Sequence, residues 1–297
     1  MRVGIIGLGN MGYSIALRLA EKGFEVYAWN RSREKLERIA KEGIKPANTP
    51  RELATNTEAT ILMVSDDDAI REVFYGFDGL LKGVYPGFIL INTSTTTPFI
   101  NKEVASKLEL YDACFIEAPV LGGPRVARKG ELLIIVSGKK KCINKAGIVL
   151  NALGKPIHVS EHIGDAMVLK LAFNSLLIAS LELLSETIGL VESWGVDPGH
   201  FARILSETVF APLSNKYYSR LLAEEYPVSF RLSLAAKDLE YGLRAGNYRG
   251  QPLPLISTAT QIYKLASLYG YGGEDYSRIS LFIRRLRKWP EPRKYTL

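Results

Sequence analysis

Three glycines near the start of the chain constrain its fold more than any other feature. Gly7, Gly9 and Gly12 follow an apolar run at Arg2–Ile6 and open an amphipathic stretch at residues 11–22. A strand, a glycine turn and a helix in this order begin a βαβ unit, and the glycines allow a tight turn, close ligand approach and close helix packing. A pyrophosphate would lie on the helix N-terminus, where N–H groups lack partners. We therefore predict a dinucleotide site made of Gly7, Gly9, Asn10, Met11 and Gly12.

The first half of the chain alternates short apolar runs with amphipathic stretches. The runs are rich in Ile, Val, Leu and Phe, which predicts buried strands. The stretches between them predict helices, with start signals such as Thr49-Pro50 and Ser32 and a stop signal at Gly23. This alternation favours a mostly parallel sheet. The predicted strands are 2–6, 25–29, 60–64, 88–92, 113–117, 132–137 and 157–159, and the helices between them are 11–22, 32–42, one from residue 50, 98–108 and 140–153.

The pattern changes after about residue 163. Residues 164–194 indicate one long helix, and further helices follow from Asp197, at 233–245 and at 255–269, with no convincing strand. A length of 297 residues fits two domains. We therefore predict an α/β, Rossmann-like N-terminal domain with a mostly parallel sheet over residues 1–163. An all-α domain follows over residues 164–297.

Composition excludes several classes of protein. Apolar residues make up 47% and charged residues 23% of the chain, as in soluble globular proteins. Cys114 and Cys142 are too few for a disulfide framework, and neither they nor the three histidines have metal-ligand spacing, so we expect no metal. The apolar run at residues 3–8 is too short for a signal peptide, and Lys170 and Glu182 disfavour a membrane span at 166–184. We expect a cytoplasmic protein without membrane contact.

Most of the net charge of +7 lies at the C-terminus. From Arg284 onward, six basic residues oppose Glu291 alone, which places +5 in this tail. A basic tail could contact nucleic acid, or it could be a solvated terminus or a strap on a partner subunit. We favour the second interpretation because no basic–aromatic recognition module accompanies the tail. Glutamine occurs only at Gln251 and Gln261, a scarcity that is typical of thermophilic proteins.

The end of the second predicted strand indicates which dinucleotide binds. A domain that prefers NAD usually has a carboxylate here for the ribose hydroxyl, but this chain has Asn30, Arg31 and Ser32. The guanidinium of Arg31 can pair with a 2′-phosphate, and Ser32 adds a hydroxyl. We therefore predict a preference for NADP over NAD. Alternatively, Arg31 is only a solvated side chain and Ser32 only a helix cap.

Lys170 and Asn174 are the candidates for catalysis. They lie four residues apart, so they share one face of the long helix, among apolar neighbours. Desolvation would bring the pKa of a lysine amine toward working pH, which suits a general acid and base. Alternatively, Lys170 extends to solvent and Asn174 makes only a local bond. The pair Lys237-Asp238, taken alone, indicates an ordinary exposed ion pair.

Two polar loops follow predicted strands. Residues 92–98 carry hydroxyl groups at the carboxyl end of the predicted strand 88–92, where ligands of open α/β sheets bind. These hydroxyls could bind a ligand, or they could only cap the next helix. Residues 117–124 contain Gly122 and Gly123, whose backbone N–H groups can hold a carboxylate.

Four segments in order resemble the β-hydroxyacid dehydrogenase family, which includes 3-hydroxyisobutyrate dehydrogenase and the glyoxylate/succinic semialdehyde reductases. The resemblance implies that Lys170 is the catalytic acid and base and that Asn174 assists it. It also implies that a cleft between the two domains holds the ligands. Cofactor contacts would come from Val64, Ser65, Thr95 and Lys237, and substrate contacts from Ser94, Leu121, Gly122 and Gly123. The segments are residues 7–12, residues 117–123 with 130–132, residues 164–174 and residues 237–239.

One residue departs from the family pattern. The family usually has serine before the glycine pair, and this chain has Leu121. The change removes one hydroxyl donor and adds apolar bulk, while the N–H groups of Gly122 and Gly123 remain. The reaction class therefore stands, but the usual substrate assignment does not follow.

The resemblance implies reversible hydride transfer between NADP(H) and a small β-hydroxy acid such as 3-hydroxyisobutyrate or L-serine. One alternative is an NADPH-dependent reductase of small aldehyde acids, such as glyoxylate or succinic semialdehyde. Another is a non-catalytic NADP-binding protein whose basic tail contacts a partner. The apolar surface of the long helix favours a homodimer or homotetramer. A small carboxylic acid is the expected ligand besides the cofactor, and we expect no nucleic acid.

Overall fold

The computed structural model describes residues 1–286. The chain divides into two compact units, the first Met1–Ala172 and the second from Phe173 onward. One helix, α8 (Asp165–Ser193), contributes residues to both units. The domain boundary predicted between residues 163 and 164 stays a prediction. The two units meet within α8, so the helix itself marks no sharp boundary between them.

The first unit is built on one sheet of nine strands within the described residues. The spatial order is β3-β2-β1-β4-β5-β6-β8-β7, with β9 paired to β8. The pairs among β1 to β6 are all parallel, and β8 is antiparallel to β6 and β7. The order 3-2-1-4-5-6 is that of the Rossmann fold, which confirms the predicted fold class. The strands are β1 (Arg2–Ile6), β2 (Glu25–Trp29), β3 (Lys45–Pro46), β4 (Ala59–Leu62), β5 (Ile89–Asn92), β6 (Cys114–Glu117), β7 (Val120–Leu121), β8 (Leu132–Ser137) and β9 (Gly154–Ser160).

Helices connect these strands, and several begin as the sequence predicts. The Thr49 hydroxyl accepts a hydrogen bond from the Glu52 amide at 3.0 Å, next to a proline in the first turn. Ser32 occupies the N-cap position of the helix Arg33–Ala40, but its side chain makes no capping hydrogen bond. Two helices of this unit, Asp67–Tyr75 and Pro124–Lys129, differ from the prediction, which places no helix there. The helices are α1 (Asn10–Glu21), α2 (Arg33–Ala40), α3 (Pro50–Asn56), α4 (Asp67–Tyr75), α5 (Pro98–Glu109), α6 (Pro124–Lys129) and α7 (Lys140–Leu153).

The sheet separates two apolar cores. Ile5 and Ile91 pack in one core with α1 and α7, while Ile6 and Leu90 pack in the other with α3 to α5. This division follows from strand geometry, because successive side chains point to opposite faces. A disulfide between Cys114 and Cys142 joins β6 to α7, a pairing that the sequence patterns do not predict.

The second unit is helical in its described part. Its only strand-like feature there is a single bridge between Arg231 and Asp275. Asp275 is fully buried and pairs with Arg220. The all-α prediction for this region is therefore confirmed. Besides most of α8, the helices are α9 (Pro198–Ser206), α10 (Ala211–Leu222), α11 (Leu232–Tyr248), α12 (Pro254–Leu268) and α13 (Ile279–Leu286).

The long apolar helix and the start of the basic tail both lie among the described elements. The helix α8 is long and apolar enough to cross a membrane by length and composition, and half of its most apolar window is buried. In the basic tail, Arg284 pairs with Glu192 at 3.0 Å and Arg285 donates to the Tyr271 hydroxyl at 2.8 Å. The other charged tail residues lie outside the described residues.

Candidate active site

The glycine turn between β1 and α1 has the three properties that the motif predicts. Gly7 has φ +98°, and a Cβ there would lie 2.2 Å from the Met63 carbonyl oxygen. A Cβ at Gly12 would lie 1.9 Å from the Gly7 carbonyl oxygen. A Cβ at Gly9, in contrast, would meet nothing within 4 Å. Gly7 and Gly12 are thus required by the fold itself, whereas Gly9 borders open space in which backbone can meet a ligand.

The first turn of α1 is arranged to receive an anion. Gly9 is its N-cap, so no side chain caps the helix, and no acidic residue lies in the first turn. Asn10 is exposed and Met11 is half-buried. The N–H groups of a first turn have no partner within the helix and favour negative charge. The turn therefore fits the pyrophosphate of a dinucleotide.

The loop after β2 is tied to the glycine turn. The Leu8 amide donates to Asn30 Oδ1 at 2.9 Å, and Asn30 Nδ2 donates to the Ser32 carbonyl oxygen at 3.2 Å. Asn30 therefore joins the glycine turn to the loop after β2. Arg31 extends into solvent and lies 3.7 Å from Glu72, a pair so exposed that it holds the guanidinium only weakly. Arg31 is consequently able to reorient toward a phosphate.

The ends of β4 and β5 lie at the same sheet edge as the glycine turn, because β4 pairs in parallel with β1 and β5 pairs in parallel with β4. The Val64 amide donates to Ser94 Oγ at 2.9 Å. The Ser65 hydroxyl donates to the Asp66 carboxylate at 2.7 Å, and Thr95 is half-buried. The structure thus brings Val64 and Ser94 together, and the Ser94 hydroxyl also stabilises the loop.

The segment after β6 turns sharply at the glycine pair. Leu121 lies in β7 opposite Leu133, and its side chain is half-buried. Gly122 has φ +130°, a left-handed conformation that favours glycine, and Gly123 is the N-cap of α6. Both glycines are exposed, so their backbone is accessible to a small ligand.

Lys170 is buried on the first part of α8. Only 8% of the residue is exposed, and its Nζ donates to the Val120 carbonyl oxygen at 2.9 Å. The amine therefore does not extend to solvent, as the alternative interpretation would require. Its hydrogen bond places it beside the segment that contains Leu121 and the glycine pair.

A second buried charge, Glu117, lies at the end of β6. It is fully buried, and its carboxylate accepts hydrogen bonds from Asn101 Nδ2 at 2.7 Å, from the Ser137 hydroxyl and from the Gly164 amide at 2.8 Å. Burial raises the pKa of Glu117, and these hydrogen bonds oppose that effect. The sequence patterns predict no role for Glu117, although a carboxylate at the end of a buried strand is a visible signal.

The remaining predicted residues lie in the second unit and share one partner. Asn174 Nδ2 donates to Asp238 Oδ2 at 2.6 Å, and Lys237 Nζ lies 3.0 Å from Asp238 Oδ1. Asp238 is 1% exposed and the side chain of Lys237 17% exposed, so the pair is not the ordinary exposed ion pair of the alternative. Asp238 therefore binds both the Asn174 amide and the Lys237 amine, a role that depends on the tertiary structure of the second unit.

The side chains and backbone of the first unit can thus bind a dinucleotide and hold the Lys170 amine away from water. Among the described residues, no group of three or more His, Cys, Asp and Glu side chains is arranged to hold a metal ion.

Comparison with known proteins identifies the family. Residues 2–164 match the family model of the NAD-binding domain of 6-phosphogluconate dehydrogenase. Residues 164–283 match that of the NAD-binding region of NADP-dependent 3-hydroxyisobutyrate dehydrogenase.

Individual relatives cover nearly the whole chain. The chain is 32% identical to an uncharacterized oxidoreductase of Bacillus subtilis, covering 96% of this chain and 100% of the relative. It is 30% identical to a probable mitochondrial 3-hydroxyisobutyrate dehydrogenase of Dictyostelium discoideum, over 95% and 91% of the two chains. The solved 3-hydroxyisobutyrate dehydrogenase of Salmonella typhimurium has the same fold, with a TM-score of 0.85 at 24% identity over 95% and 99% of the chains. This chain therefore belongs to the β-hydroxyacid dehydrogenase family, whose members are nicotinamide-dependent oxidoreductases.

Proposed function

We propose that this protein catalyses reversible hydride transfer between NADP(H) and the hydroxyl-bearing carbon of a small β-hydroxy acid. The observation that carries the proposal is the buried amine of Lys170, held 2.9 Å from the Val120 carbonyl beside the exposed glycine pair. A lysine is rarely buried without a task. Its place next to backbone N–H groups that suit a carboxylate supports a proton-transfer role on an acid substrate.

The chemistry divides between cofactor and chain. A bound nicotinamide supplies hydride acceptance or donation. In oxidation, neutral Lys170 Nζ takes the proton of the substrate hydroxyl as the carbon loses its hydride. In reduction, protonated Lys170 returns that proton to the forming alkoxide. Asn174, held by Asp238, orients the substrate oxygen, and Lys237 contributes to cofactor binding.

The key experiment replaces the amine. We expect Lys170→Ala to lower turnover about 10²- to 10⁴-fold, because general acid–base catalysis is lost, while NADPH binding persists. Lys141→Ala, which changes an exposed lysine of the same unit, is the matched control and should leave turnover unchanged. Turnover of Lys170→Ala close to that of the wild type would refute the proposal.

The preference for NADP over NAD is part of the proposal. Arg31 and the lack of a carboxylate at residues 30–32 support it. The family model that matches residues 164–283 is that of NADP-dependent 3-hydroxyisobutyrate dehydrogenase, which also supports it. Arg31→Ala should weaken NADPH binding about tenfold or more, since a charge-assisted contact to the phosphate is lost. NADH binding should change little. Equal losses for both cofactors would contradict the assignment.

The proposed substrate class depends on the segment at residues 121–123. The N–H groups of Gly122 and Gly123 would hold a carboxylate, and Leu121 would contact the carbon chain. We propose 3-hydroxyisobutyrate or L-serine as substrate, with reduction of glyoxylate or succinic semialdehyde as the alternative. Steady-state rates on these four compounds, in both directions and with both cofactors, would distinguish them. A Leu121→Ser variant that gains activity on the more polar acid would support this role of Leu121.

Self-association is a further part of the proposal. Leu169, Leu176, Leu183 and Leu190 recur every seven residues along α8 and are 48% to 71% exposed. A seven-residue leucine repeat packs well against a second copy of itself. We therefore propose a homodimer or homotetramer in which α8 contacts its counterpart. Light scattering should show a smaller species for Leu183→Glu, and an unchanged mass would contradict this interface.

We also propose a cytoplasmic location. The disulfide is unusual for a reducing cytoplasm, but intracellular proteins of hyperthermophiles are an exception, and the two-glutamine composition fits such a source. Thiol titration of protein isolated under alkylating conditions would measure the state of Cys114 and Cys142 in the cell.

A further inference from the structure

The Glu117 carboxylate accepts hydrogen bonds from three separate parts of the first unit. Glu117 ends β6, and its hydrogen-bond donors lie on α5, on β8 and at the start of α8. The Met167 backbone in the first turn of α8 also favours the ionised form of Glu117 by lowering its pKa. An ionised carboxylate only accepts hydrogen bonds, so this set of donors matches it. The carboxylate is therefore a junction between the sheet and the first turn of α8.

The partners of Glu117 are themselves held in place. Asn101 donates to Glu117 with its Nδ2, while its Oδ1 accepts from Asn92 Nδ2 at 2.8 Å and from the Thr96 hydroxyl at 3.1 Å. The Asn101 amide cannot reverse its orientation without losing both of those bonds. The Thr96 amide, in turn, lies 3.4 Å from the Met167 sulfur. The network thus contacts the first turn of α8 from two directions.

The same network reaches both ends of the Lys170 hydrogen bond. Lys170 follows Met167 by three residues, so it lies about one helical turn beyond the residue that Thr96 of this network contacts. Its acceptor, the Val120 carbonyl, follows Glu117 by three residues in the chain. A shift of α8 against the 117–121 segment would therefore move the amine from its acceptor. Displacements of about 1 Å at a reacting group can lower turnover about a hundredfold.

We propose that Glu117 is a positioning residue for Lys170, which fixes the start of α8 to the segment that carries the Val120 carbonyl. This inference rests on the proposed role of Lys170 as acid and base. Glu117 touches no reacting atom in this account, and its effect passes entirely through the helix and the loop.

The test compares three variants of the full-length protein. Glu117→Gln keeps the size of the side chain but places an NH₂ donor among donors. Glu117→Asp keeps the charge on a shorter side chain. Ser137→Ala is the matched control, because it removes a donor from the same carboxylate and leaves the bonds to α8 intact.

Amide hydrogen exchange and turnover provide independent measurements. In Glu117→Gln, exchange in residues 164–172 should accelerate, and kcat should fall about 10- to 100-fold while NADPH affinity stays within about twofold. The midpoint of the pH profile of kcat should also move toward acid, because loss of the Val120 acceptor disfavours the ammonium form. Glu117→Asp should partly restore all of these values. Ser137→Ala should resemble the wild type.

The outcomes separate this inference from the proposed function. Unchanged exchange at residues 164–172, or equal effects in Glu117→Gln and Ser137→Ala, would overturn the positioning role. If Glu117→Gln does not fold, the comparison of Glu117→Asp with Ser137→Ala gives the same decision. An active Lys170→Ala variant would refute the proposed function, whereas an inactive one together with a normal Glu117→Gln would refute only the inference.

Discussion

Replacing Gly9 by alanine should change stability and cofactor binding in opposite directions. Gly9 has φ −71° and ψ −176°, an extended conformation that alanine adopts without strain. Its new Cβ would meet nothing within 4 Å. Alanine also restricts the unfolded chain, so the free energy of unfolding should rise by about 0.4 to 1 kcal/mol. For a unit of this size that corresponds to a Tm increase of about 1 to 4 °C.

The same methyl group would occupy the space into which a pyrophosphate must come. Because the phosphate oxygens approach the backbone closely at this glycine, we expect NADPH affinity to fall about tenfold or more, or about 1.4 kcal/mol. Gly12→Ala is the matched control. Its Cβ would lie 1.9 Å from the Gly7 carbonyl oxygen, and such overpacking costs about 1 to 3 kcal/mol or more, so stability and affinity should both fall.

Calorimetry of the cofactor-free protein measures the first quantity, and NADPH fluorescence titration measures the second. The wild type, Gly9→Ala and Gly12→Ala would be compared at one pH and ionic strength. Wild-type affinity in Gly9→Ala would refute the placement of the pyrophosphate. A lower Tm for cofactor-free Gly9→Ala would show that this glycine is required by the fold instead.

Two further predictions concern stability. Burial, together with Glu186, raises the pKa of Glu182 from 4.5 to about 7. Between pH 4.5 and about pH 7, the folded protein therefore keeps a proton on Glu182 that the unfolded chain has released. The free energy of unfolding should therefore decrease by about 2 kcal/mol as pH rises from about 4.5 to about 7, after allowance for solvent screening. Urea titrations at both pH values should show this decrease in the wild type and not in Glu182→Gln; an equal decrease in both would contradict the assignment. The Cys114–Cys142 disulfide closes a loop over a separation of 28 residues, and its reduction should lower stability by about 3 to 4 kcal/mol. Denaturation with and without dithiothreitol measures this loss, and coincident curves would argue against it.

Local patterns predicted much of the first unit. The strand β1, the turn at Gly7 and the cap at Thr49 depend on residues close in the chain, and the structure has them within a residue or two of the predicted positions. The two-residue strand β3 could not be predicted, because Lys45–Pro46 is a strand only through its pairing with β2. The Cys114–Cys142 disulfide has the same character, since it depends on where α7 packs against the sheet.

The candidate site divides in the same way. The glycine motif, Lys170 and Asn174 are visible in the sequence because residue type and helical spacing are local properties. The partners of Glu117 and Asp238 are not visible there, because each carboxylate takes them from elements far apart in the chain. Composition and periodicity determined a parallel sheet followed by helices, with a dinucleotide turn at residue 7. Only tertiary packing decided which buried charges hold which amine or amide, because a buried charge is stable only where distant donors converge on it.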